Sequence, residues 1–183
     1  MKKILLTLGL LSTTIVMYGQ TFMTRTGKIS FNATTPGSPE KIEGINNEVA
    51  NIIDTKTGNI VFQLPVKSFK FERELMQEHF NENYMESDKF PKSEFKGAIT
   101  NMNEVNFAKD GTYSAKVTGK LTIHGVTKDL TVPGTITVSG NTMKASTKFT
   151  IKLQDYNITI PSVVADKIAK DATIKLESDL IRK

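Results

Sequence analysis

Hydrophobic and polar residues alternate without a break from Tyr113 to His124. Tyr113, Ala115, Val117, Gly119, Leu121 and Ile123 fall on one side, and Ser114, Lys116, Thr118, Lys120, Thr122 and His124 on the other. A period of two means an extended strand with one dry face and one wet face. At about 3.3 Å per residue such a strand reaches roughly 35 Å, against ~20 Å for a common strand. A second long alternation places Met143, Ala145, Thr147, Phe149, Ile151 and Leu153 opposite Lys144, Ser146, Lys148, Thr150 and Lys152.

Shorter runs of the same period surround these two. Ile29 and Phe31 share the apolar side of Gly27 to Asn32, and a turn-rich loop follows from Thr34 to Pro39. Lys41 to Ile53, with Ile42, Ile45, Val49 and Ile52 among polar residues, is expected to hold one or two strands. After the turn Asp54 to Asn59, Ile60, Phe62, Leu64 and Val66 alternate with Val61, Gln63, Pro65 and Lys67, and Pro65 marks a bulge or a strand edge. From Phe71 to Ser87 the period changes: Met76, Phe80 and Tyr84 recur among acidic residues, which predicts an amphipathic helix ended by Lys89 to Lys92. Phe95, Gly97 and Ile99 resume strand spacing, and Asp110-Gly111 is a hairpin signal before the long strand. Beyond Gly125 come Val126 to Pro133, a further run with Ile136 and Val138, and a tight turn at Ser139-Gly140-Asn141. Pro161 to Lys170 is expected to form a short helix, and Ile174, Leu176, Ser178 and Leu180 a final strand.

The pattern therefore predicts an all-β fold with minor α content, about eight antiparallel strands and one or two short helices. A two-sheet sandwich is the alternative. Long strands joined mainly as hairpins favour an extended up-and-down barrel, and eight strands enclose room for packed side chains or one small ligand. Ala115 and Gly119 remove bulk from the middle of the longest strand, which predicts a lumen open along its length.

The chain has 183 residues, enough for one domain with a sizeable core. It contains no cysteine, which removes disulfides, zinc–thiolate sites, a cysteine nucleophile and a lipid-anchored form from the expectations. Lys2 and Lys3 followed by the apolar run Ile4 to Leu11 read as an export signal over residues 1–19, with Gly19 before the cut, and the domain spans 20–183. A retained membrane anchor is the alternative, disfavoured because Ser12, Thr13 and Thr14 interrupt a short apolar run. Loss of Lys2 and Lys3 lowers the formal charge from +5 to +3, a mild bias compatible with an anionic lipid or diphosphate head. Tryptophan is absent and no basic cluster interleaves with aromatics, so nucleic acid is not an expected partner.

Several motifs carry a family resemblance. Met76-Gln77-Glu78-His79-Phe80 leads into Met85-Glu86-Ser87-Asp88-Lys89-Phe90-Pro91 and Phe95-Lys96-Gly97. Gly119-Lys120-Leu121-Thr122-Ile123-His124-Gly125-Val126-Thr127-Lys128 and Asp155-Tyr156-Asn157-Ile158 follow. In this order and spacing the chain resembles the YceI-like, lipid or polyisoprenoid-binding family of exported bacterial proteins, over roughly Thr24 to Leu180. The resemblance implies a lipocalin-like eight-stranded barrel whose pore holds an isoprenoid chain, a periplasmic location, and a role in isoprenoid metabolism, transport or storage. Lys41 to Ile60 is shorter and more polar than the family pattern.

The residues expected to bind the ligand are Phe62, Leu64, Tyr113, Val117, Gly119, Leu121, Ile123, Phe149 and Ile151 inside the barrel, with Phe80, Phe90 and Phe95 near the helix. The two histidines, His79 and His124, are each read as structural, against head-group or metal ligation. Asp155 beside Tyr156 is read as a strand-end contact, against a catalytic base. No metal, cofactor or catalytic residue is expected. The expected partner is a polyisoprenoid or other long-chain lipid, with transient contact to a membrane surface; the oligomeric state is left open, a homodimer being compatible with it. The alternatives are an enzyme acting on such a lipid, and a filled structural or interaction barrel without a ligand.

Overall fold

In the computed structural model, which describes residues 21–183, eight antiparallel strands close into one barrel in sequence order, with β8 returning to β1. They are β1 (Thr21–Thr34), β2 (Glu43–Asp54), β3 (Asn59–Pro65), β4 (Lys92–Ile99), β5 (Gly111–Ile123), β6 (Val126–Ser139), β7 (Thr142–Lys152) and β8 (Ile168–Arg182). One short helix, α1 (Glu74–His79), lies between β3 and β4. The barrel expectation holds and the sandwich alternative falls. The expected export signal, residues 1–19, lies outside the described residues.

The long alternation does what its period requires. Along β5, Ala115 and Leu121 are buried and Ser114, Lys116, Thr118 and Lys120 are exposed. On the wet face β5 and β6 exchange threonine hydrogen bonds, Thr112–Thr137 and Thr118–Thr131 at 3.0 Å and Thr122–Thr127 at 2.8 Å. Such cross-strand pairs fix register where no core contact does.

Elsewhere the structure corrects the sequence pattern. Lys41 to Ile53 holds a single strand whose inward residues include Asn46, Val49 and Asn51, while Ile45 and Ile52 face outward, each 41% exposed. Ile52 stands beside Met23 of β1 and Val61 of β3, so outward apolar side chains cover one another across the ladder. The helix is six residues long and runs into a wider π turn over Phe80–Tyr84, because Arg73 is extended and Met85 N–H reaches back to the Phe80 carbonyl. Asp110-Gly111 is not a tight hairpin; it ends a longer connection containing the 3-10 turn Met102–Glu104, and Asp110 accepts a hydrogen bond from Gly140 N–H. Val126 to Val138 is one strand, and Pro161 to Lys170 reduces to the 3-10 turn Ser162–Val164 before β8.

The barrel wall is not uniformly laced. The β5–β6 ladder runs the full length from Val126, and the β7–β8 ladder reaches Lys152. The β6–β7 ladder spans only Gly134–Ser139 against Thr147–Thr142. Pro133 has no N–H to continue it, and its carbonyl instead accepts from Thr147 Oγ1 at 2.6 Å.

Gly97 and Gly119 face each other across β4 and β5, and the Phe95 ring lies over both: a Cβ at Gly97 would meet its Cζ at 2.6 Å, and one at Gly119 at 2.7 Å. The expectation that Gly119 opens the lumen is therefore corrected, since an aromatic ring occupies that space. One end of the barrel is plugged as well, by Phe22, Ile53, Met143 and Leu180, each 1% exposed, with Val138 and Ile136 among them. The bore is blind, not open from end to end.

Gly119→Ala is expected to lower the unfolding free energy by about 1–3 kcal/mol, because its Cβ meets strand backbone rather than a yielding side chain. Gly134→Ala, whose Cβ meets nothing nearer than 3.4 Å, is expected to be neutral or stabilising. Urea denaturation of the two variants checks the contrast.

Candidate functional site

Between the plug and the opposite rim the barrel encloses a chamber of about 370 Å³. That falls within the ~300–1,000 Å³ of ordinary small-molecule pockets. Its wall is aliphatic and aromatic: Ile29, Phe62, Leu64, Leu121, Ile123, Phe149, Ile151 and Ile174 come from the strands. A deeper recess of about 80 Å³ shares Ile29, Phe62, Leu121 and Phe149 with it and continues past Phe95, Ala115 and Val117.

Four phenylalanines shape the open end. Phe80, from the π turn, stacks on Phe31 of β1 at 5.3 Å and meets Phe69 and Phe71 at 5.3 and 4.9 Å. The wide turn matters here, since it carries Phe80, Tyr84 and Met85 onto the chamber. No residue of α1 is buried and no side chain caps its N-terminus; Leu75 is 52% exposed although it also lines the rim. A helix this short does not hold itself in water. Its place is set by the rings beneath it.

The charged groups of the lining gather at one point of the rim. Arg73 Nη1 donates to Glu40 Oε1 at 2.7 Å, and Lys167 Nζ approaches Glu40 Oε2 at 3.1 Å. The hydrogen-bonded Lys167 ammonium, with a further contribution from Arg73, holds the Glu40 carboxyl below its ordinary range.

Of the residues expected to bind ligand, Phe62, Leu64, Phe80, Leu121, Ile123, Phe149 and Ile151 line the main chamber, and Phe95 and Val117 line the recess. Three stand apart. Gly119 lies under the Phe95 ring; Tyr113 packs toward the plug with its hydroxyl on the Lys109 carbonyl; Phe90 packs outside, edge-on to His124 at 4.7 Å. Phe69, Phe71, Ile158, Ile160 and Ile168 were missed because they sit on loops or strand ends, where no alternation marks an inward face. Asn51 was missed for a different reason. A polar residue in a polar stretch signals nothing, yet it is 2% exposed, donates to Ser178 Oγ at 3.2 Å, and leaves its Oδ1 unpartnered beside the recess.

One titratable candidate, His124, ties neighbouring segments together. His124 adopts a left-handed backbone, with Nδ1 3.0 Å from the Tyr156 carbonyl and Nε2 2.9 Å from Glu86 Oε2, so its ring ties the β5–β6 turn to two neighbouring segments. Asp155 and Tyr156 form a 3-10 turn after β7, with Tyr156 buried and Asp155 exposed. His79 is exposed at the chamber rim. Among the described residues no group of three or more His, Cys, Asp or Glu is arranged to hold a metal ion.

A family model described as a YceI-like domain matches residues 20–180. The fold is shared with a polyisoprenoid binding domain from Saccharophagus degradans implicated in plant cell wall breakdown, at TM-score 0.77 and 12% identity, over 90% of this chain and 99% of that one. BcnA of Burkholderia cenocepacia superposes at TM-score 0.62 and 18% identity, over 84% of this chain and 95% of the other. Among curated proteins none matches the sequence.

Burial, and then the Asp155 charge, push the Tyr156 hydroxyl above its ordinary range, and burial raises Tyr84. The folded state thus favours the neutral phenols, a contribution present below about pH 10 and lost as pH rises through the raised values. Stability is expected to fall above about pH 10, and more gently in a Tyr84→Phe/Tyr156→Phe variant, as followed by urea midpoints across alkaline pH.

Proposed function

The chain belongs to the YceI-like domain family, and from that premise we propose that it is an exported carrier enclosing the tail of a long apolar lipid. The guest is a polyisoprenoid, such as an isoprenoid quinone or a prenyl phosphate, held in the barrel for transport or storage. The observation that carries this reading is the chamber itself: apolar side chains surround about 370 Å³ of unfilled space inside a closed ladder. The description of the Saccharophagus degradans relative as a polyisoprenoid binding domain supports the choice of guest.

Energetics favour a shuttle over a trap. Each buried CH₂ is worth ~0.8 kcal/mol against water, so a few isoprene units offset an association cost of about 4–15 kcal/mol. A tail that starts in a bilayer exchanges one oily medium for another, and that term nearly cancels. Preference then comes from the shape of the chamber and from contacts to the head. Exchange with a membrane requires brief contact at the rim, where Leu75 and Val163 are 52% and 84% exposed.

Lipid mass spectrometry of protein purified from its native host is expected to find a long-chain lipid near one per barrel. Leu121→Trp/Ile151→Trp, which fills the chamber wall, is expected to lower binding of a long-chain fluorescent probe at least about tenfold, or ~1.4 kcal/mol. Folded variants that bind as tightly as the parent would remove the chamber from the function. Export is tested separately: N-terminal sequencing of the protein from its host is expected to begin at Gln20, and a retained Lys2-Lys3 segment would refute it.

A further inference from the structure

A guest whose tail enters a blind bore must leave its head at the open end. The plug of Phe22, Met143 and Leu180 closes the far side, so the chemistry of the rim selects the head. Glu40, in the loop after β1, Arg73, before α1, and Lys167, before β8, are the charged side chains among the chamber-lining residues. His79 and Tyr84 are the other titratable residues there.

Two cations share one carboxylate, each taking a separate oxygen. The group therefore carries one net positive charge at the edge of an oily wall. The Arg73 and Lys167 side chains are 62% and 50% exposed, against 26% for Glu40, so both cations remain accessible from solvent. Ion pairs this exposed to solvent add little to stability, and exchanging one anion for another costs correspondingly little. The guanidinium presents a fork suited to two-oxygen anions, and the ammonium adds a point charge beside it. A neutral head, whether alcohol, ester or quinone, leaves the ion pairs as they are and gains nothing from them.

We infer that Arg73 and Lys167 bind the anionic head of the guest, a carboxylate or phosphate monoester on a long apolar tail, with Glu40 holding that place in the unliganded protein. The inference rests on the carrier reading above and narrows it to anionic lipids. It also gives Glu40 a function in release: when the lipid leaves, the carboxylate returns to the two cations, so that they are not left facing one another unpaired.

The test uses two matched pairs of probes, cis-parinaric acid with its methyl ester, and geranylgeranyl phosphate with geranylgeraniol. Affinities are measured by fluorescence, directly for the first pair and by displacement for the second. The parent protein is expected to bind the anionic member of at least one pair about tenfold tighter or more, and the preference to shrink in high salt. The pair that responds tells a carboxylate head from a phosphate head. Arg73→Met/Lys167→Met is expected to abolish the preference while leaving the neutral probe within about twofold, and Glu40→Gln to widen it. Lys120→Met, a lysine paired with Asp129 on the outer wall, is expected to leave it unchanged. Equal binding of acid and ester together with equal binding of phosphate and alcohol overturns the inference while the carrier reading stands. A preference that persists in the Arg73/Lys167 double variant, or that disappears in Lys120→Met, overturns it too. Failure of all four probes to bind overturns the carrier reading and this inference with it.

Discussion

Hydrogen bonding of β8 back onto β1 is the constraint on which the rest depends. A sheet with free edges must be covered or blunted, and its apolar face must find another layer to pack on. Once the ladder closes, every strand has a hydrogen-bonded neighbour on both sides and the apolar faces look at one another. The interior then need not be filled for the wall to hold. An unfilled oily space of about 370 Å³ is tolerable because the strands and two buried apolar clusters carry the stability.

That division of labour explains the asymmetry of the barrel. At one end Phe22, Ile53, Met143 and Leu180 pack to near-complete burial and give the domain a conventional core. At the other a second buried cluster, including Ile29, Phe62, Leu64, Leu121 and Ile174, surrounds the chamber, and a short helix with a π turn lies over the opening. The four-ring cluster around Phe80 is what holds that segment down. His124, reaching the Tyr156 carbonyl and Glu86, ties the same region to the β5–β6 turn. Both anchors lie at the rim, away from the apolar depth of the chamber.

Polar groups inside the barrel have separate structural explanations. Asn46 donates to the Pro65 carbonyl at 2.8 Å and accepts from the Glu48 N–H, so it stitches β2 to the end of β3 where their ladder has stopped. Asn51 and Ser178 pair opposite the bulge in β1 around Gly27, where a Cβ would meet Ser178 Oγ at 2.7 Å. Leaving Asn51 Oδ1 unpartnered costs about 1–3 kcal/mol in a buried setting.

What the amino-acid order determined by itself was the strand content, the two faces of β5 and β7, the eight-strand count and the apolar character of the interior. These follow from a period of two, which is a local property: Leu121 and Lys120 must point opposite ways in any extended chain. Seven residues chosen on that basis line the main chamber, and Phe95 and Val117 line its recess. Tertiary structure decided whether a given inward position faces space or a neighbour. Gly119 looks like a gap in one strand and is covered by a ring from the next; Tyr113 points inward but toward the plug. It also decided the charged rim, since Glu40, Arg73 and Lys167 come from three segments that the closed barrel alone brings within hydrogen-bonding distance.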